Sequence, residues 1–158
     1  MHEVPNWAAQ ENSLLTIEPM GLPPYSVRGV RQTLEPMPAE LHRTVNGRLV
    51  NFTPVQFRLF RSTISCRDQD VPAISGVWPG DVMTVSCVHP LRFRADSDAV
   101  PIRSYVEGSL HEVDGYVYYR PVLQMMFIGW TSDIAEWDAE IAWAFDLEEL
   151  VVPDEVSA

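Results

Sequence analysis

Both cysteines of the chain lie in one stretch, STISCRDQDVPAISGVWPGDVMTVSC (62–87). Cys66 and Cys87 each end a run in which apolar and polar residues alternate. Two thiols so placed could form a disulfide, ligate a metal, supply a nucleophile or fill a core. A disulfide needs Cα atoms within about 7 Å. If 62–66 pairs antiparallel with 81–88, Cys66 lies opposite about Val82 and Cys87 opposite about Arg61. The ladder then separates the thiols by roughly 15 Å, at about 3.3 Å per residue. Strands in different sheets would bring the bond back within reach. Zinc asks for three or four ligands in tight pairs, and Cys87-x-His89 is a single pair. A nucleophilic thiol wants a base and a lowered pKa, and His89 is the one base nearby in sequence. Ile64 and Cys66 share one strand face, and Met83, Val85 and Cys87 share another. That phase predicts two buried, inert thiols.

The carboxylates give a similar picture. Asp68-x-Asp70 and Asp96-x-Asp98 could ligate calcium, which takes six or more oxygens. Neither has the acid count or glycine spacing of a calcium loop, so both read as solvated loops. The acids of WDAEIAWAFDLEEL (137–150) could be offered as a glycosidase pair. Alternation puts them instead on a wet strand face. The phosphate-binding, nucleophile-elbow and zinc-protease motifs are absent from the sequence. Tyr116, Tyr118 and Tyr119 could stack on sugars, but packing in a core or interface is the plainer reading. The sequence therefore predicts no catalytic residue, no metal site and no cofactor.

A length of 158 residues suits one core, and the 46% hydrophobic share is that of a globular chain. The net charge of −11 argues against a nucleic-acid partner. No apolar run approaches the roughly 20 residues of a membrane helix, so no membrane partner is expected. The opening MHEVPNWAAQENSLL lacks the basic and apolar parts of a secretory signal, which predicts cytoplasmic synthesis, where stable disulfides are uncommon. Charge is uneven along the chain. Residues 1–94 carry nine arginines and eight acids, whereas 95–158 carry two arginines and fourteen acids. All eleven basic residues are arginine, whose fork suits carboxylates at interfaces. Opposed charge on two parts of one chain suits head-to-tail contact between copies.

The elements that must position these residues are mostly strands. Residues 1–13 read as an arm anchored by Trp7, and 151–158 as a loose tail. LLTI (14–17) is a first strand, and YSVRGVRQTL (25–34) a strand bulged at Gly29. Asn46-Gly47 marks a hairpin with a type I′ turn. Thr53-x-x-Gln56 matches a capping box, which predicts a short helix near 54–61 packing Val55, Phe57 and Phe60 inward. Residues 116–130 are one long strand or a pair joined at Pro121. In 137–150 the period of two puts Trp137, Ile141, Trp143, Phe145 and Leu147 on one face. With no alternating βα pattern, 14–150 reads as a single all-β domain, an antiparallel sandwich or barrel.

The order TIEPMGLPPYSVRGVRQTL, RTVNGRLVN, TISCRDQDVPA, WPGDVMTVSC, YYRPVL and WDAEIAWAFDLEEL resembles small virion structural proteins of long-tailed bacteriophages, over about residues 14–150. The resemblance implies a β-rich tail, baseplate or head–tail connecting subunit with no cofactor. Its partners would be copies of itself in a ring and other virion proteins. It would be made in the host cytoplasm and reside in the virion. The arm and the charge pattern single out Trp7, Arg28, Arg31, Asp138, Glu140 and Asp146 as candidate interface residues. The alternative is a module that binds host-surface polysaccharide through exposed tyrosines and tryptophans.

Overall fold

The structure, a computed structural model, describes residues 14–23, 25–96, 101 and 103–151. The predicted arm 1–13 with Trp7, and the tail beyond 151, lie outside the described residues. Eleven strands lie among those residues: β1 (Thr16–Glu18), β2 (Arg31–Pro36), β3 (Leu41–Arg43), β4 (Leu49–Asn51), β5 (Phe60–Asp68), β6 (Val82–Ser86), β7 (Leu91–Arg94), β8 (His111–Val113), β9 (Tyr116–Tyr119), β10 (Val122–Asp133) and β11 (Ile141–Glu149). They form an all-β, antiparallel fold with one six-stranded sheet, β1-β6-β10-β11-β5-β2, a hairpin β3-β4, and a three-stranded sheet β7-β9-β8.

The six-stranded sheet is apolar on one side only. Ile64 and Cys66 of β5, Met83 and Val85 of β6, Leu123, Met125 and Phe127 of β10, and Trp143, Phe145 and Leu147 of β11 are all buried. Each set recurs every second residue, as pleating requires. Phe127 meets Phe145 edge-on at 5.2 Å between centroids, and Trp143 lies 4.5 Å from Phe145. Such aromatic pairs add roughly 0.5–1.5 kcal/mol beyond their buried area.

A one-sided sheet must cover its own face, and this one does so by curling. Gln32 on the edge strand β2 accepts hydrogen bonds from the backbone N–H of Val88 (2.8 Å) and His89 (3.1 Å), just past β6. In a flat sheet four strand spacings, roughly 19 Å, would separate β2 from β6. A glutamine side chain closes that gap only if the sheet rolls toward a barrel. Leu15, Ile17, Val27 and Val77 complete the interior. A bulge between Phe127 and Gly129 breaks the β10–β11 register midway, the kind of irregularity that adds twist.

Several local expectations shift. The strand expected over 25–34 begins only at Arg31, because residues 25–29 spend their backbone groups on the end of the barrel. Trp143 Nε1 donates to Ser26 O (2.7 Å), and Cys66 Sγ to Arg28 O (3.1 Å). Gly29, at φ +71°, turns the chain instead of bulging a strand. The helix expected near 54–61 shrinks to one 3-10 turn, Val55–Phe57. There Thr53 Oγ1 accepts from the Glu40 N–H across the hairpin base rather than capping a helix, and Phe57 faces solvent. The side chain of Val55 lies outside the described residues. The Asn46-Gly47 hairpin is present, but its turn is not type I′. Gly47 N donates to Thr44 O and Thr44 N to Arg48 O (both 2.8 Å), and only Gly47 has positive φ. That is the three-residue loop with a left-handed glycine. Residues 116–130 are a pair, β9 and β10, joined at Arg120-Pro121. The segment expected over 137–150 is a strand from Ile141 on, while Trp137 precedes it and is 92% exposed. The pairing assumed for the cysteine strands is replaced: β5 lies between β2 and β11, and β6 between β1 and β10.

Replacing Gln32 by alanine strips two backbone donors of their acceptor; the exposed His89 N–H can turn to water, while the part-buried Val88 N–H left unpaired costs about 1–3 kcal/mol. Urea titration should show a lower midpoint with unchanged slope, at a cost of about 2 kcal/mol. An unchanged midpoint would mean that closure does not depend on this side chain.

Candidate interaction surface

The sheet gives the molecule two ends. β5 starts at Phe60, opposite Pro36 of β2, and finishes at Asp68, opposite Ile141 of β11. Eight steps of about 3.3 Å separate those ends by roughly 26 Å. The hairpin β3-β4 lies between Pro36 and Phe60 in the chain, so it projects from the first end. The loop 134–140 joins β10 to β11 at the second.

At the second end the inward face of β5 finishes on a buried carboxylate, Asp68. Arg28 grips it with Nη2 to Oδ1 at 2.7 Å and Nε to Oδ1 at 3.1 Å, while the Arg28 and Gln69 backbone N–H groups donate at 2.9 and 2.8 Å. Burial alone would push this carboxyl up. The guanidinium and the two N–H donors outweigh burial and hold it below its ordinary value. Arg28 also lies over the Tyr25 ring at 4.6 Å. Arg67 and Glu140 approach to 3.7 Å on the surface. Arg28, Arg67, Asp68, Gln69, Ala139 and Glu140 line a groove of about 340 Å³, and Arg31 lines an adjacent one of about 450 Å³ with Asp133 and Trp143. The fold thus brings Arg28, Arg31 and Glu140 to one end, beside Asp138 in the same loop. Asp146 stands apart, on the outer face of β11, where Thr63 Oγ1 donates to it at 3.2 Å. The charge division along the sequence is therefore not a clean division in space, since Arg67 of the first part pairs with Glu140 of the second.

Beyond Asp138 and Glu140, the 131–140 segment carries Asp133 and Glu136 and no basic residue. Amid those acids stand Ile134 and Trp137, both well exposed. Trp78, in the loop after β5, is exposed as well, while Trp130 Nε1 is tied to Val77 O (2.8 Å).

The first end is built differently. Glu149 finishes the inward face of β11 as Asp68 finishes that of β5. Arg103 grips it through Nε and Nη2, both at 2.8 Å, lies 4.5 Å over the Phe60 ring, and donates to Arg58 O. Outside this lock the hairpin stands free: among the described residues neither β3 nor β4 contacts any other strand. Leu41, Leu49, Phe52 and Phe57 are each more than half exposed, and Val45 at the tip is fully so. Over 40–58 the charges are Arg43, Arg48 and Arg58 against Glu40, which pairs with His42 at 3.2 Å.

The thiols are buried and unbonded. Burial pushes Cys66 up and carries Cys87 to about 11, the Gln32 hydrogen bond opposing. His89 is exposed, with Nδ1 2.7 Å from Pro90 O. Among the described residues no three His, Cys, Asp or Glu side chains gather as a metal site. Asp70 accepts from Val71 N, Asp96 pairs with Arg94 at 2.8 Å, and Asp98 lies outside the described residues. Tyr119 is buried, with Phe93 and Tyr105 beside it. Tyr118 packs on His111 and Arg92, which leaves Tyr116 as the exposed member of the three.

Comparison with family models, with curated proteins and with solved structures gave no match to this chain. The surface rests on its geometry. Sequence reasoning missed the hairpin's isolation and the exposure of Trp137. The signal for the first was present: RTVNGRLVNF is bracketed by EPMP and TP, and so is too short to pack back on a core.

A depressed carboxyl stabilises the fold fully above its ordinary value near 4, and the gain is lost as pH falls through the lower folded-state value. Asp68→Asn should therefore melt well below the wild type at pH 6–7, and the gap should close as pH falls below about 4. Parallel melting curves at every pH would remove Asp68 as an acid-sensitive lock.

Proposed function

We propose that this chain is a non-enzymatic structural subunit that assembles through protein–protein contacts in the particle of a long-tailed phage, in its tail, baseplate or neck. The observation that carries the assembly part is the hairpin β3-β4. A two-stranded hairpin alone in water is marginal at best. This one holds four apolar side chains in solvent, Leu41, Val45, Leu49 and Phe52, and packs on no other strand among the described residues. Such an element gains its missing side from a neighbour. Exposed apolar surface rimmed by charge is the usual mark of a protein contact. The phage setting rests on the sequence resemblance.

The carbohydrate-binding reading draws on surface aromatics. Tyr118 and Tyr119 are already engaged within the small sheet, which weakens it.

Purified phage particles carrying this gene provide the test. Quantitative mass spectrometry should find the chain at a fixed multiple per particle, and antibody labelling should place it at the tail, baseplate or neck. Particles that lack the chain while their other structural proteins are abundant would overturn the reading.

A further inference from the structure

Two surfaces fit each other without being able to meet in one molecule. The hairpin end offers Leu41, Val45, Leu49 and Phe52 beside Arg43 and Arg48. The opposite end offers Ile134 and Trp137 among Asp133, Glu136, Asp138 and Glu140. Each is an exposed apolar cluster; the hairpin carries two arginines, and the loop four carboxylates, of which Glu140 lies 3.7 Å from Arg67. They lie at opposite ends of β5, roughly 26 Å apart along the strand, so the hairpin of one molecule cannot cover its own loop.

Resting on the assembly reading above, we infer that the β3-β4 hairpin of one copy docks on the 134–140 loop of the next, with Trp137 as the anchor. Charge complementarity selects the partner. A hairpin meeting a hairpin would oppose arginines, and a loop meeting a loop would oppose eight carboxylates, as each copy brings the four of 131–140. Like charges face to face suppress both alternatives. Tryptophan and arginine are the side chains most often found carrying the energy of a contact. Since each copy uses two different surfaces, the contact is heterologous. It propagates head to tail, into a ring if the rotation closes and a filament if it does not.

That geometry gives a test that no symmetric interface passes. One variant carries Arg43→Glu and Arg48→Glu, the other Glu136→Arg and Asp138→Arg. All four positions are exposed, and circular dichroism with melting checks each fold. In analytical ultracentrifugation the wild type should sediment as multiples of 17.9 kDa, and each variant alone as a monomer. An equimolar mixture should recover association, because the unchanged hairpin of one variant meets the unchanged loop of the other. If a charge variant does not fold, Trp137→Ala replaces it, with association expected to weaken at least about tenfold. A monomeric wild type, variants that assemble like the wild type, or a mixture that stays monomeric would each overturn the contact. Wild-type assembly indifferent to these substitutions refutes this contact alone. Absence from purified particles refutes the phage reading alone.

Discussion

Burial on one side of one sheet is the constraint from which the rest follows. β5, β6, β10 and β11 each bury every second residue over their middles, and there the buried side chains are apolar. A sheet so patterned is stable in water only if that side is covered, and no helix longer than one 3-10 turn exists among the described residues to cover it. Curling is the remaining solution. The twist of the strands, the β10 bulge and the Gln32 bridge all serve it, and Val27 and Val77 enter from loops to fill what the strands leave.

The same phase explains how the interior ends. Ser62, Ile64, Cys66 and Asp68 share the inner face of β5, and Trp143, Phe145, Leu147 and Glu149 that of β11. Two adjacent antiparallel strands thus finish with buried carboxylates at opposite ends. Each is gripped by one arginine from a loop, Arg28 on Asp68 and Arg103 on Glu149. A buried charge without such a partner is costly, and a forked arginine satisfies several lone pairs at once. These locks consume arginines that the sequence alone would leave for neighbours. The surface left for contact is therefore not set by charge totals but by what the locks leave over: a basic hairpin at one end, an acidic loop at the other.

How much of this was legible depended on whether a residue's role was periodic. The all-β class, the inward phase of Ile64, Met83, Val85, Trp143, Phe145 and Leu147, and the burial of both cysteines follow from alternation, because period two leaves one face to bury. Alternation says nothing of where a strand stops. Trp137 is in phase with Trp143 yet lies beyond the last ladder pair, Ile141 with Asp68, and so is exposed. Strand neighbours were equally hidden. A loop of thirteen residues, 69–81, frees β6 from β5, and the pairing is settled by which apolar faces fit. Arg28 was legible as a charge but not as the partner of a carboxylate forty residues away. Its role is fixed by the 25–29 turn, whose shape comes from Gly29 and from the ends of β5 and β11.

A free hairpin at one end of a rolled six-stranded sheet is the feature on which assembly turns, and amide hydrogen exchange at varied protein concentration reads it directly. In dilute solution the amides of 41–52 should exchange within seconds while those of β5 and β11 stay protected. At concentrations where copies associate, the hairpin should become protected together with 134–140, with no change in the barrel. Hairpin amides already protected in the dilute monomer, or still unprotected once association is complete, would contradict the account.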